Sequence, residues 1–227
     1  MENVTVLPIE MLMVRPLPLW KRALDIVGAG LGIALLSPVF LLSALLIKIV
    51  SPGPVFFTQE RVGQGGQVFR FLKFRTMHVN ADTNGHQQHL VKLIRGADDP
   101  NSAEARPMHK LDNDTRIIPF GRFLRSSCVD ELPQLFNVLL GDMSLVGPRP
   151  CIPYEAQEYK TWHRNRFDAV PGMTGLWQVS GKNELSFNQM IRLDITYARE
   201  SSLALDFKII LRTFGVVVSQ VRKCLAA

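Results

Sequence analysis

Hydrophobic and polar positions alternate in three distinct ways along this chain. The first is an unbroken apolar run from Ile26 to Ile47, IVGAGLGIALLSPVFLLSALLI, with no charge between Asp25 and Lys48. As one straight helix it would be about 33 Å long, enough to cross a bilayer core of about 30 Å. Ser37 and Pro38 sit in its middle. Pro38 offers no N–H to the carbonyl of Ala34 and crowds it, so a kink is expected, and Ser37 can bond back to a freed carbonyl. The helix then either spans with a kink or turns at Ser37-Pro38 and leaves by the face it entered. Arg15, Lys21 and Arg22 precede it; Lys48, Arg61, Arg70, Lys73 and Arg75 follow. Cations on both flanks place both ends in the cytoplasm, which favours the re-entrant path with arms of about 16 Å. A cleaved signal peptide fits less well, because the run exceeds a typical h-region and Lys48 follows it directly.

The second pattern is β-like. Val55 to Val62 and Gln67 to Met77 are rich in β-branched and aromatic residues and flank GQGG, which predicts a hairpin. It delivers Lys73 and Arg75, either as charged gatekeepers on an edge strand or as phosphate contacts. The third pattern is helical. Leu132, Leu135, Phe136 and Leu139 recur at helix spacing, with Gly141 as a stop. Tyr154 to Arg166 reads as helix, VPGMTGLWQVSGKN (170–183) as loop, and about 186–199 and 203–222 as helices. The last carries Lys208, Arg212, Arg222 and Lys223 beside a broad apolar surface, so it either packs on the core or lies in a membrane interface. Residues 79–113 form a polar, partly helical insertion. The sum is a mainly helical α+β protein: a tail over 1–20, a membrane helix over 21–50, and a small cytoplasmic domain over 51–227.

Composition sharpens this. With 227 residues the chain holds one core plus a membrane element. Hydrophobic residues are 47% and charged ones 20%, with mean hydropathy +0.10, and the apolar excess lies near the N-terminus. Net charge is +6, so partners are expected to be anionic. Aromatics are only 8%, with no basic stripe interleaved among them, so no nucleic-acid partner is expected. Three cysteines without CxxC spacing argue against a disulfide framework. Cys128 has no histidine near it in sequence to serve as a base and is read as a small buried residue. His86 and His89 have ligand-pair spacing but sit in a polar segment read as a solvated loop.

The stretch CVDELPQLFNVLLGDMSLVGPRP (128–150) sets Asp130 beside Glu131 at the mouth of an apolar helix. Asp130 could be an N-cap with Glu131 in the first turn, where negative charge suits the helix dipole. Caps are far commoner than catalytic dyads, so taken alone the pair reads first as a cap and second as chemistry.

DNDTRIIPFGRFLRSSCVDELPQLFNVLLGDMSLVGPRP, preceded by KRALDIV, LLSPVFLLSALLIK, GPVFFTQERVG and KFRTM, resembles the bacterial sugar transferases, the monotopic polyprenyl-phosphate phosphoglycosyl transferases. The similarity runs from about Lys21 to about Phe214. It implies transfer of a sugar 1-phosphate from a UDP-sugar to undecaprenyl phosphate with release of UMP, at the cytoplasmic face of a bacterial inner membrane. It implies a re-entrant helix broken at Ser37-Pro38. By resemblance Asp130 is the nucleophile that becomes a covalent phosphosugar enzyme, Glu131 its partner placed by Mg²⁺, Arg125 a phosphate-binding arginine, and Pro148-Arg149-Pro150 a nucleotide-holding motif. The chain departs from the family pattern at Val170, Leu176 and Lys182, which leaves base and sugar contacts in the 170–183 loop unassigned.

Such chemistry suits these residue types. A carboxylate attacking a diphosphate faces another anion, and helix N–H groups, arginine forks and a hard divalent ion each offset that repulsion. Aspartate is an established nucleophile towards phosphoryl groups. Two rival readings share the residues: a membrane-anchored scaffold without activity, and a hydrolase passing the phosphosugar to water. The sugar, the final polymer and the oligomeric state, a homo-oligomer included, are left open.

Overall fold

The computed structural model describes residues 16–79, 84–96, 116–181 and 184–225. The apolar run becomes one helix of 32 residues, α1 (Leu19–Val50). Helical backbone is retained on both sides of Pro38, where the sequence predicts a kink. Ser37 Oγ donates to the Ala34 carbonyl at 2.9 Å, which serves the acceptor that proline cannot. Leu31, Leu35, Leu41, Leu42, Leu45 and Ile49 are exposed along it.

Both ends of α1 nevertheless pack on the same folded body. At its start, Lys21 and Asp25 are fully buried. Lys21 donates to Asp206 at 2.6 Å, to the Tyr197 hydroxyl at 2.9 Å and to the Val146 carbonyl at 2.9 Å. Asp25 accepts from Ser144 Oγ and from the Leu145 amide, both at 2.8 Å. At its end, Ile47 packs with Phe74, Ile118 and Leu124. Between them, Phe40 meets Phe74 and Phe136 edge to face.

The hairpin forms as expected: β1 (Phe56–Val62) pairs antiparallel with β2 (Val68–Phe74), register Phe56 to Phe74 through Val62 to Val68. Gly65 and Gly66, both at positive φ, make the turn that a side chain would strain. Within the polar insertion the described part is one helix, α2 (Asn84–Gly96); residues 80–83 and 97–113 lie outside the described residues. The side chains of His86 and His89 and the pair Lys182-Asn183 lie outside them too.

After α3 (Gly121–Ser126) and a short 3-10 turn (Val129–Glu131) comes α4 (Gln134–Leu140), closed by Gly141 at φ 97°. Then β3 (Ser144–Val146) pairs in parallel with β4 (Gly172–Thr174). That second strand lies in a stretch read as loop. Its pairing depends on two glycines: a Cβ on Gly172 would lie 2.0 Å from the Gly147 amide nitrogen. Tyr154 to Arg166, read as one helix, is instead α5 (Pro153–Gln157) followed by a 3-10 segment (Thr161–Asp168). The break lets Tyr159 enter the core with Phe187 and Ile191. A short α6 (Leu176–Val179) leads to α7 (Phe187–Glu200) and α8 (Leu203–Leu225). Ser186 and Gln189 cap α7 reciprocally. On α8, Asp206 and Ile209 are buried, whereas Leu203, Phe207, Leu211, Phe214 and Val218 form an exposed apolar stripe.

Candidate active site

The site is assembled from three elements. The first is β2, which is held to α4 by Asn137: its Oδ1 accepts from the Leu72 amide at 3.0 Å and its Nδ2 donates to the Arg70 carbonyl at 2.7 Å. That bracket brings Lys73 to the start of α4. The second is the turn between α3 and α4. Phe120 and Cys128, both non-glycine residues at positive φ, stand at either end of α3. Left-handed backbone costs a side-chain-bearing residue about 1–2 kcal/mol, and Arg125 and Asp130 on either side of Cys128 lie within electrostatic reach of each other. The third is the loop after β3, which carries Arg149.

Asp130 is not the N-cap that the sequence allows. It sits inside the 3-10 turn, while Pro133 occupies the cap position of α4. Proline suits a helix start because its absent N–H is not missed there. Asp130 is therefore free of a capping duty, and it is only 8% exposed.

Its electrostatics follow from that placement. Burial first, and then the neighbouring charge of Glu131, push the Asp130 carboxyl up to about 6; Lys73, Arg125 and Arg149 oppose the rise. Lys73 shows the converse: burial draws its ammonium down to about 8, with Asp130 resisting and Arg61, Arg149 and Arg125 adding to the fall. Its ammonium lies over the Phe57 ring, 4.9 Å from the centroid. Arg149 Nη1 lies 3.3 Å from Glu131 Oε1, and the guanidinium is held above its usual range chiefly by that carboxylate. The Arg149 side chain is 39% exposed, so the pair opens to the outside.

Of the residues singled out in the sequence, Lys73, Arg125, Asp130, Glu131 and Arg149 come together, with Pro148 and Pro150 framing the last. Arg75 does not join them. Its guanidinium is buried and donates to the carbonyls of Ser51 and Pro52, so it closes the chain's exit from α1 rather than awaiting a phosphate. Cys128 is only half buried, where a buried residue is expected; its Sγ lies 3.7 Å from Gln220 Oε1. Sequence reasoning missed Arg61, Asn137, Glu155 and Arg166. Glu155 lies in the field of Arg61, Arg166 and Arg149, its carboxyl raised by burial. Only the position of Arg61, just before the GQGG turn, hints at any of them.

Among the described residues no three His, Cys, Asp or Glu side chains form a metal cluster. Two adjacent carboxylates with a raised Asp130 still fit a hard cation such as Mg²⁺. That ion binds through one or two carboxylates and completes its shell with water and phosphate oxygens.

Comparison with known proteins places the chain. The bacterial sugar transferase family matches residues 17–220. The chain is 41% identical over 199 residues to "Galactosyl transferase CpsE" of Streptococcus agalactiae serotype III (strain NEM316), covering 87% of this chain and 42% of that protein. It is 38% identical over 212 residues to "Exopolysaccharide production protein ExoY" of Rhizobium meliloti (strain 1021), covering 93% and 91%. A "UDP-glucose:undecaprenyl-phosphate glucose-1-phosphate transferase" of Caulobacter vibrioides (strain ATCC 19089 / CIP 103742 / CB 15) is 43% identical over 212 residues, covering 87% and 71%. The chain thus spans about two fifths of CpsE and nearly all of ExoY. With residues 17–220 matched from α1 to α8, the chain belongs to the bacterial sugar transferase family.

Proposed function

We propose that the protein transfers a sugar 1-phosphate from a UDP-sugar to undecaprenyl phosphate and releases UMP. The observation that carries this reading is the buried Asp130, raised beside Glu131 and ringed by Lys73, Arg125 and Arg149. Such a group is poised to face a diphosphate. Relatives named for undecaprenyl-phosphate sugar transfer supply the substrate class.

In the first step an Asp130 oxygen bonds to the phosphorus bearing the sugar. The bond from that phosphorus to the oxygen of UMP breaks, and UMP leaves with the electron pair. In the second, an oxygen of undecaprenyl phosphate attacks the same phosphorus, forms the lipid diphosphate and returns Asp130 as carboxylate. Lys73, Arg125 and Arg149 orient the phosphate oxygens and offset charge. Glu131, held by Arg149, would share with Asp130 a bound Mg²⁺, whose chemistry is to neutralise diphosphate charge. Dividing the reaction lets one anionic substrate leave before the next enters.

The membrane placement is part of the proposal. Helix α1 dips into one leaflet and bends back at Ser37-Pro38, with the rest of the chain on the cytoplasmic face of the inner membrane. Supporting this, Lys21 at one end and Ile47 at the other touch one polar body. That body cannot lie on both sides of a bilayer. The exposed stripe of α8, flanked by the exposed Lys208 and Arg212, suits the same interface.

The test uses the full chain in lipid nanodiscs with a panel of UDP-sugars, with and without undecaprenyl phosphate. UMP release that depends on the lipid, and a hexose-phosphate mass on Asp130 when the lipid is withheld, are expected. Asp130→Asn should lower turnover by at least about 10³-fold, as loss of a nucleophile does. Lipid-independent turnover indicates a hydrolase, and no UMP with any sugar indicates a scaffold.

A further inference from the structure

The loop Pro148-Arg149-Pro150-Cys151 presents four successive carbonyls, and each has its own donor from elsewhere in the chain. The Gly172 amide donates to Pro148 at 2.8 Å, and the Val62 amide to Cys151 at 2.9 Å. Between them, Arg166 Nη2 donates to the Arg149 carbonyl at 2.6 Å and Arg61 Nη1 to the Pro150 carbonyl at 3.0 Å. The donors come from β4, from β1 and from the 3-10 segment after α5. Pro148 and Pro150 add fixed φ angles and need no amide partner. Little backbone freedom is left.

The two arginines are themselves braced. Arg166, 6% exposed, also donates to the Tyr159 hydroxyl at 2.6 Å and pairs with Asp194. Arg61 donates its other fork to Gln59 Oε1 at 2.9 Å and lies over the Phe71 ring. By charge alone both resemble phosphate ligands. By hydrogen bonding the terminal nitrogens of both are engaged, with Arg61 Nε left unpartnered among the described residues, and withdrawing either would strand a carbonyl without its donor.

We propose that Arg61 and Arg166 are positioning residues: a two-arginine clamp on the backbone that fixes the point from which the Arg149 guanidinium reaches Glu131 and the incoming diphosphate. The clamp deepens the transferase reading and rests on it. Lysine cannot replace it fully, because its donors radiate from a single nitrogen and cannot span the separated acceptors that a guanidinium reaches from two.

The experiment is a double-mutant cycle on the full chain in nanodiscs. Arg61→Lys and Arg166→Lys are made in the native background and in Arg149→Ala, and kcat and KM for the UDP-sugar are measured in all. In the native background KM should rise about tenfold or more with a smaller change in kcat. In Arg149→Ala the same substitutions should change either constant by less than about twofold, because their effect passes through Arg149. Equal losses in both backgrounds overturn the clamp. Hydrogen exchange supplies a readout independent of turnover. Arg166→Lys should speed exchange of the segment 145–152 by about tenfold while α3 and α8 are unchanged. Unchanged exchange in that segment also overturns it. A wild type that releases no UMP defeats the transferase reading instead, and exchange then decides the clamp alone.

Discussion

Lys21 and Lys73 are both ammonium groups withdrawn from water beside aromatic rings, and they differ in what their protons do. Lys21 lies near Trp20 and Tyr197 and has three acceptors for its three donors: Asp206, the Tyr197 hydroxyl and the Val146 carbonyl. Lys73 lies over Phe57 and makes no hydrogen bond or ion pair among the described residues. The first ties the membrane helix to β3 and α8. The second keeps binding capacity in reserve at the cost of a depressed pKa. A desolvated charge whose bonds are all filled is part of the frame; one left with open donors beside a raised carboxyl is a candidate for ligand binding.

The largest effect that tests this contrast is on stability. Lys21→Met leaves Asp206, fully buried, without its cation. Breaking a buried pair in this way costs about 3–5 kcal/mol, and replacing both partners by apolar residues restores much of it. Denaturant unfolding in nanodiscs should therefore show a large loss for Lys21→Met and a smaller one for Lys21→Met with Asp206→Leu. Equal losses would make Lys21 a simple packing residue.

The next effect falls on turnover. Lys73→Ala should lower kcat/KM for the UDP-sugar by roughly 10–100-fold, the worth of about 1.5–3 kcal/mol for a hydrogen bond to a charged group, with little change in unfolding. The pH profile adds the sign. Burial disfavours the charged form, so Lys73 is protonated below about 8 and loses its charge as pH rises through that value. Activity should fall on that alkaline side. Lys73→Arg, charged throughout, should carry the limb to higher pH. A limb that stays at about 8 in Lys73→Arg belongs to another group.

The smallest effect is a control at the surface. Arg95 donates both forks to Glu158, at 2.7 and 2.8 Å, yet its side chain is 69% exposed. Glu158→Gln should barely move the unfolding midpoint, and high salt should erase any difference. A loss near that of Lys21→Met would mean that burial does not rank these pairs.

Much of this architecture was legible in the chain. The GQGG turn, the β-branched and aromatic runs around it, Gly141 as a stop and a helix beginning at about 186 are local signals, and each element formed near its expected bounds. The family motif brought Asp130, Glu131, Arg125 and Arg149 into view together. Other readings failed where distant partners decide. Arg75 looked like Lys73, two residues away, but Ser51 and Pro52 claim it. The stretch read as loop holds β4 because Gly172 can lie against Gly147. Asp130 looked like a cap until Pro133 took the start of α4.

The sequence by itself determined the long apolar helix, the hairpin, the helical character of the rest and the family motif that holds Asp130 and Glu131, because periodicity, turns and motifs act over a few residues. Only the tertiary structure decided which cations are bound to carbonyls and which stand open to an anion. Lysine and arginine carry the same charge everywhere in the chain. Their roles depend on acceptors brought within about 3 Å from segments dozens of residues away, as Arg166 meets Arg149 and Lys21 meets Asp206.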